Sequence, residues 1–109
     1  MATVMREVLA VKDTRRILLA LCEADQPIQY SVLRRDLGLH AQAFKRGLDK
    51  LEHHGMIGRR LRGEPNNLGH REVYLEATGI GHFWAQRWKD WQSDTAKAAK
   101  AQHIPLAEK

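Results

Sequence analysis

The chain has 109 residues, 43% of them hydrophobic and 28% charged, with a formal net charge of +5. That is the size and balance expected of one globular domain with a modest core. No apolar run approaches the roughly 20 residues a membrane-spanning helix needs, the N-terminus lacks a basic-then-apolar signal pattern, and the single cysteine excludes an internal disulfide, so a cytoplasmic location is the expectation.

In chain order, Val4, Met5, Val8 and Leu9 are spaced as on a helix, which predicts an N-terminal helix within residues 1–12. Asp13 reads as the N-cap of a second helix whose Ile17, Leu18 and Leu21 face inward, and Asp25-Gln26-Pro27 ends it. Cys22 adjoins that apolar run, where a thiol acts as a small buried hydrophobe. A redox-sensing thiol is the alternative, and it would need exposure and a low pKa. Ile28 suits a short extended segment.

Ser31 can cap a helix over 32–37 that buries Val32, Leu33 and Leu37, and Gly38 closes it as a residue needing positive φ. A third helix from Ala41 to His54 sets Phe44, Leu48 and Leu51 on one inward stripe before Gly55 terminates it. Two helices joined by so short a turn make a helix-turn-helix. Residues 56–62 and 71–75 read as two strands around a polar loop, Gly63 to His70. Thr78 begins a last helix to about Gln92, with Ile80, Phe83, Trp84, Trp88 and Trp91 at helical spacing. The Ala- and Lys-rich tail from Ser93 has little to bury and is expected to fray. The organisation expected is therefore an N-terminal arm (1–12), a core domain (13–77), a C-terminal helix (78–92) and a flexible tail (93–109).

Charge is concentrated between Tyr30 and Leu75. Nine Lys or Arg against five acids place four of the five net positive charges there. A localised positive field on a helix-turn-helix and a hairpin suits a polyanion, because neutralised phosphates release counterions. An anionic membrane is disfavoured, since the cations sit on short elements and not on one long amphipathic helix. Opposite its apolar stripe the third helix presents Gln42, Lys45, Arg46, Asp49 and His53. Gln42, Lys45 and Arg46 have the chemistry for base readout in a major groove. Asp49 would face phosphate unless paired with Lys45, Arg46 or Lys50, so the N-terminal turns of this helix are expected to make most of the contact. Arg34 and Arg35 on the preceding helix suit phosphate positioning. Arg59, Arg60 and Arg62 lead into the hairpin loop and Arg71 leads out of it, while Asn66 and Asn67 mark its tip. Because strand side chains alternate, Arg59 and Arg60 cannot point the same way, and one is expected to pack on the core or bind a carboxylate.

The six histidines do not form a metal set: His53 and His54 diverge by about 100° on a helix, and no Cys or carboxylate completes a tetrahedral site at usual spacing. No metal or other cofactor is expected, and no motif of nucleophilic, phosphate-loop or zinc-hydrolase chemistry is present, so an enzyme is not expected. Three tryptophans on one short helix exceed what so small a core needs. A homodimer seam of Ile80, Trp84, Trp88 and Trp91 with Val4, Val8 and Leu9 is the preferred reading. A helix that only covers its own core, or an aromatic-lined effector pocket, are the alternatives.

Two segments carry a resemblance. Leu33…Leu37-Gly38-Leu39 followed by Phe44…Leu48…Leu51-Glu52-His53-His54-Gly55-Met56-Ile57-Gly58-Arg59-Arg60 resembles the core of winged-helix bacterial and archaeal transcription regulators. Arg71-Glu72-Val73-Tyr74-Leu75 with Thr78-Gly79-Ile80-Gly81 is similar to the strand and helix start after the wing in MarR-like and HxlR-like proteins. The resemblance implies an α+β winged helix-turn-helix, a three-helix core with a β-hairpin wing and an added C-terminal helix. It also implies a homodimer that binds a roughly palindromic site on double-stranded DNA, with the third helix in the major groove and the wing on the flanking backbone. The expected function is sequence-specific transcription regulation, with repression by promoter occupancy. A winged-helix protein-interaction module and a nonspecific architectural DNA-binding protein remain the alternatives.

Overall fold

The computed structural model describes residues 5–24, 26–62 and 72–102. A π-helical turn, Met5–Leu9, precedes helix α1 (Lys12–Glu23), strand β1 (Ile28–Gln29), helix α2 (Tyr30–Leu37), helix α3 (Ala41–His53), strands β2 (Ile57–Arg62) and β3 (Glu72–Ala77), and helix α4 (Gly79–Gln102). The strands form one antiparallel sheet in the order β1-β3-β2. In its register Ile28 faces Leu75, Arg59 faces Leu75 from the other side, and Arg60 faces Tyr74. This is the α+β winged-helix architecture expected from the sequence, with β2 and β3 as the wing.

The core follows from the spacing of apolar residues. Ile17, Leu18 and Leu21 of α1, Leu33 of α2, and Phe44, Leu48 and Leu51 of α3 meet Met56, Ile57 and Leu75 of the sheet, all buried. Tyr30 closes the lower edge, its ring standing edge-on to Phe44 at 4.9 Å. Gly47 lets α3 cross α1 closely: a Cβ there would lie 2.7 Å from Cδ1 of Ile17. Gly38 ends α2 in the left-handed region, φ 66°, and its N–H donates to the carbonyl of Arg35 at 3.0 Å. Gly55 does the same service after α3, φ 71°.

Several helix ends differ from expectation. Helix α1 starts at Lys12, and Asp13 lies inside its first turn, not at the cap. Val11, extended at φ −81° and ψ 115°, separates the π-helical turn from the helix, and its carbonyl accepts from Arg15 N–H at 2.9 Å, with no side-chain cap. Asp13 instead pairs with Arg16 at 3.8 Å, where a carboxylate also favours the helix dipole. Ser31 does not cap α2 either; the helix begins at Tyr30, one residue beyond the β1 ladder. The N-terminal helix is a single π-helical turn, with Val8 and Leu9 wholly buried. The largest difference is α4, which continues to Gln102, past the predicted end near Gln92. Alanine and lysine are strong helix formers, and here that propensity extends the helix beyond its buried part. Residues 91–97 are all exposed on this extension, and the molecule measures 63 Å along its long axis against 25 and 24 Å across.

The junction of α3, the wing and α4 is tightly specified. Thr78 Oγ1 accepts from the N–H of Gly81 at 3.1 Å, capping α4, and donates to the carbonyl of Gly55 at 2.6 Å. Thr78 N–H donates to the carbonyl of Met56 at 2.9 Å. Gly81 is buried against that same carbonyl, and a Cβ at this position would stand 2.1 Å from the Met56 oxygen.

Candidate nucleic-acid interface

Helix α3 turns Phe44, Gly47, Leu48 and Leu51 into the core. At about 100° per residue that burial forces Gln42, Lys45, Arg46, Asp49, Lys50 and His53 outward, and all six are exposed. The preceding α2 places Arg35 in solvent and Arg34 half-buried. Its C-terminus is tied to α1 by Arg16, whose Nη2 donates to the carbonyl of Leu37 at 2.8 Å. The helix-turn-helix thus presents a cationic ridge on a fixed support.

The cations on this ridge differ in freedom. Lys45 Nζ lies 2.9 Å from Asp49 Oδ2, four residues on along α3. Arg59 of β2 donates through Nε to Glu52 at 2.9 Å, places Nη2 2.8 Å from Glu52 Oε1, and lies 3.7 Å from Asp49. Arg60, on the other strand face, donates to Glu76 of β3. Both strand arginines therefore bind carboxylates, where the alternation rule leads to the expectation that one packs on the core or binds a carboxylate. Their guanidinium groups brace the wing, Arg59 against α3 and Arg60 across the sheet. Arg35 lies 3.7 Å from its neighbour Asp36. Arg46 and Lys50 form no ion pair among the described residues.

The electrostatics reinforce this division. The hydrogen bond and charge of Asp49 raise the pKa of Lys45, and the bond to Glu52 does the same for Arg59. Both stay cationic through the neutral range. Burial pushes the Cys22 thiol above its ordinary range, which keeps it protonated and unreactive near neutrality. Among the described residues no group of three or more His, Cys, Asp or Glu is arranged to hold a metal ion, and no helix is long and apolar enough to cross a membrane.

A cleft of about 570 Å³ lies beside α3, between its flank and the start of α1. Arg46, Lys50, His53 and His54 form one wall, and Glu7, Val11, Asp13 and Thr14 form the other. Arg46 thus stands on the rim between this cleft and the outer face of α3.

Asn66, Asn67 and Arg71, and the side chain of Arg62, lie outside the described residues, as does Val4. The apolar seam needs correction. Val8 and Leu9 are fully buried inside the protomer and Trp88 is 8% exposed, so all three serve this chain's own core. The guanidinium of Arg15 covers the Trp88 ring at 4.7 Å and donates to the carbonyl of Leu9 at 3.0 Å, which pins the N-terminal turn to α4. Trp84 is half-buried, while Ile80 and Trp91 remain about half exposed. Phe83, absent from the expected seam, is as exposed as they are and packs edge-on to Trp84 at 5.2 Å. Glu52 and Glu76 were also missed as functional partners. The signal for Glu52 was its spacing three residues after Asp49, which sets two carboxylates on the side of α3 nearest the following strand.

No known family model and no curated protein matches the sequence. Solved structures do match its fold. Staphylococcus aureus MepR in its DNA-binding conformation superposes with a TM-score of 0.66 at 12% identity, over 95% of this chain and 73% of that one. Streptococcus pneumoniae FabT in complex with DNA gives 0.58 at 16% identity, over 89% of this chain and 64% of FabT. Rhodococcus jostii CouR bound to p-coumaroyl-CoA gives 0.61 at 20% identity, over 93% and 69%. This chain is thus shorter than the structures it resembles, spanning less than two thirds of FabT. What it shares with them is the winged-helix fold that the helix-turn-helix and T-x-x-G segments pointed to.

Proposed function

We propose that this protein is a sequence-specific, double-stranded DNA-binding transcription regulator that acts as a homodimer, and that it represses by occupying promoter DNA. The observation that carries the proposal is the outward face of α3. Gln42, Lys45, Arg46, Asp49, Lys50 and His53 are all exposed, and among the described residues no part of the same protomer covers them. A helix of 13 residues, supported from behind by α1 and α2, has the size and polarity to enter a major groove. The fold is shared with FabT, whose structure is a complex with DNA, which adds support. Arg46, with no carboxylate partner among the described residues, is assigned to base readout, and Arg34 and Arg35 to the phosphates.

Selection of bound fragments from a random duplex pool, followed by titration at several salt concentrations, tests the reading. One preferred duplex should bind about 10³-fold or more above random DNA. Arg46→Ala should lose about 1–3 kcal/mol on that duplex and relax the preference at one position. Equal binding to all sequences would make the protein an architectural coater, and negligible affinity for any duplex would leave a protein-interaction module; either refutes the proposal.

A further inference from the structure

We infer that Asp49, paired with Lys45, is a specificity-determining residue that reads one C·G base pair, with Arg59 and Glu52 as its positioning residues. The inference rests on the DNA-reading role proposed for α3 and assigns a task within that site to a residue that its charge would seem to exclude.

Geometry places Asp49 on the outward half of α3, on the flank nearest β2. Phe44, Leu48 and Leu51 fix the inward direction, and at about 100° per residue Asp49 falls about 45° from the opposite direction, with Arg46 and His53 nearer to it. An unpaired carboxylate there would repel the phosphates. It is not unpaired: Lys45 Nζ stands 2.9 Å from Oδ2 and Arg59 Nη2 3.7 Å from Oδ1. Arg59 is itself held by two contacts to Glu52, at 2.8 and 2.9 Å. Two cations and two anions make a neutral cluster whose members hold one another in place.

Such a cluster is a poor phosphate clamp and a good base reader. In the major groove, cytosine presents an N4 amino donor, which a carboxylate accepts, and guanine presents O6 and N7 acceptors, to which an ammonium donates. Asp49 and Lys45, side by side and already oriented, match that pair of patterns. Thymine O4 and guanine O6 would set an acceptor against the carboxylate and be rejected. A merely structural role explains the cluster less well, because exposed ion pairs of this kind add little stability and the Asp49 side chain remains 51% exposed.

The test uses the full chain as wild type, Asp49→Ala and Asp49→Asn. Each is taken through duplex selection, then titrated against the preferred duplex, all its single-base-pair variants and a random duplex. Thermal unfolding of each variant controls for folding. The expected wild-type site contains a required C·G pair. Asp49→Ala should lose tenfold or more of the discrimination at that position alone and bind random DNA at least as tightly as wild type. Asp49→Asn, nearly isosteric, should move the preference at the same position from C towards A, because a carboxamide pairs with adenine N6 and N7. Two outcomes overturn the inference while leaving the DNA-reading role intact: every position keeping its preference within twofold in both variants, or the relaxed position being an A·T pair. A wild type that selects no duplex at all overturns the DNA-reading role, and this assignment with it.

Discussion

Thr78 and Gly81 show how two small residues can fix the geometry of a much larger element. The hydroxyl of Thr78 bridges the start of α4 to the end of α3, accepting from Gly81 N–H and donating to the carbonyl of Gly55. Gly81 then presses its bare Cα side onto the Met56 carbonyl, where a Cβ would sit 2.1 Å from the oxygen. That contact is with backbone and has no rotamer through which to yield. Gly81→Ala should therefore force α4 off the sheet and lower stability by about 2–3 kcal/mol, the upper range for overpacking, measured by urea unfolding. Gly47→Ala is the control: its Cβ meets the movable tip of Ile17, and its loss should be about 1 kcal/mol or less. Equal losses at the two positions would contradict this account. The T-x-x-G pattern was visible in the sequence, but its reason was not, because the obstructing atom lies 25 residues earlier in the chain. The identity of the exposed α3 residues was legible for the opposite reason: helical period alone separates them from Phe44, Leu48 and Leu51. Val8, Leu9 and Trp88 were misplaced because an apolar stripe gives the same pattern whether it packs on its own core or on a partner.

At the scale of elements, the wing and the reading helix are coupled by side chains more than by packing. Arg59 crosses from β2 to α3 and meets Glu52 with two contacts, at a point where both side chains are partly solvated. The stability carried by this bridge is small, of the order of 1 kcal/mol or less. Its effect on orientation is larger, since it joins a hairpin to a helix near the hairpin's base. Arg59→Ala and Glu52→Ala should each lower stability slightly, and the double variant should lose less than the sum of the two, with a coupling of about 0.5–1 kcal/mol. Strict additivity in urea unfolding would show that the two groups do not act together. Arg59 stays charged across the neutral range, since the hydrogen bond to Glu52 raises its pKa above the ordinary value. The stability from that raised pKa is complete below the ordinary arginine range and is lost only at more alkaline pH, so neither neutral nor mildly acidic buffers remove the guanidinium's charge. Element type and order were legible from hydrophobic period and glycine positions. Helix starts were not: local capping rules selected Asp13 and Ser31, whereas the chain runs into α1 through the extended Val11 and into α2 from a β ladder, and neither approach uses a side-chain cap.

At the scale of the molecule, α4 has two parts with different duties. Gly81, Ala85 and Trp88 bury its first half against the core, residues 91–97 beyond it are exposed, and the helix runs on to Gln102 in a molecule 63 Å along its long axis. On one side of α4, Ile80 and Trp91 flank the buried face and Phe83 lies farther round towards solvent, each slightly more than half exposed. Aromatic surface of this kind is enriched where proteins meet, and a second copy of the chain is the partner proposed for it. A twofold arrangement would make the contact self-complementary and would carry two α3 helices to half-sites about one helical turn of DNA apart. The double variant Phe83→Glu, Trp91→Glu should then sediment with the mass of one chain where the wild type sediments with the mass of two. Its thermal unfolding should change little in its buried core, since neither side chain is among the buried set. On a palindromic duplex its affinity should fall steeply, while binding to an isolated half-site should be unchanged, because the α3 surface is untouched. A wild type that sediments as one chain would remove the twofold arrangement; a double variant that still sediments as two would move the seam away from this side of α4.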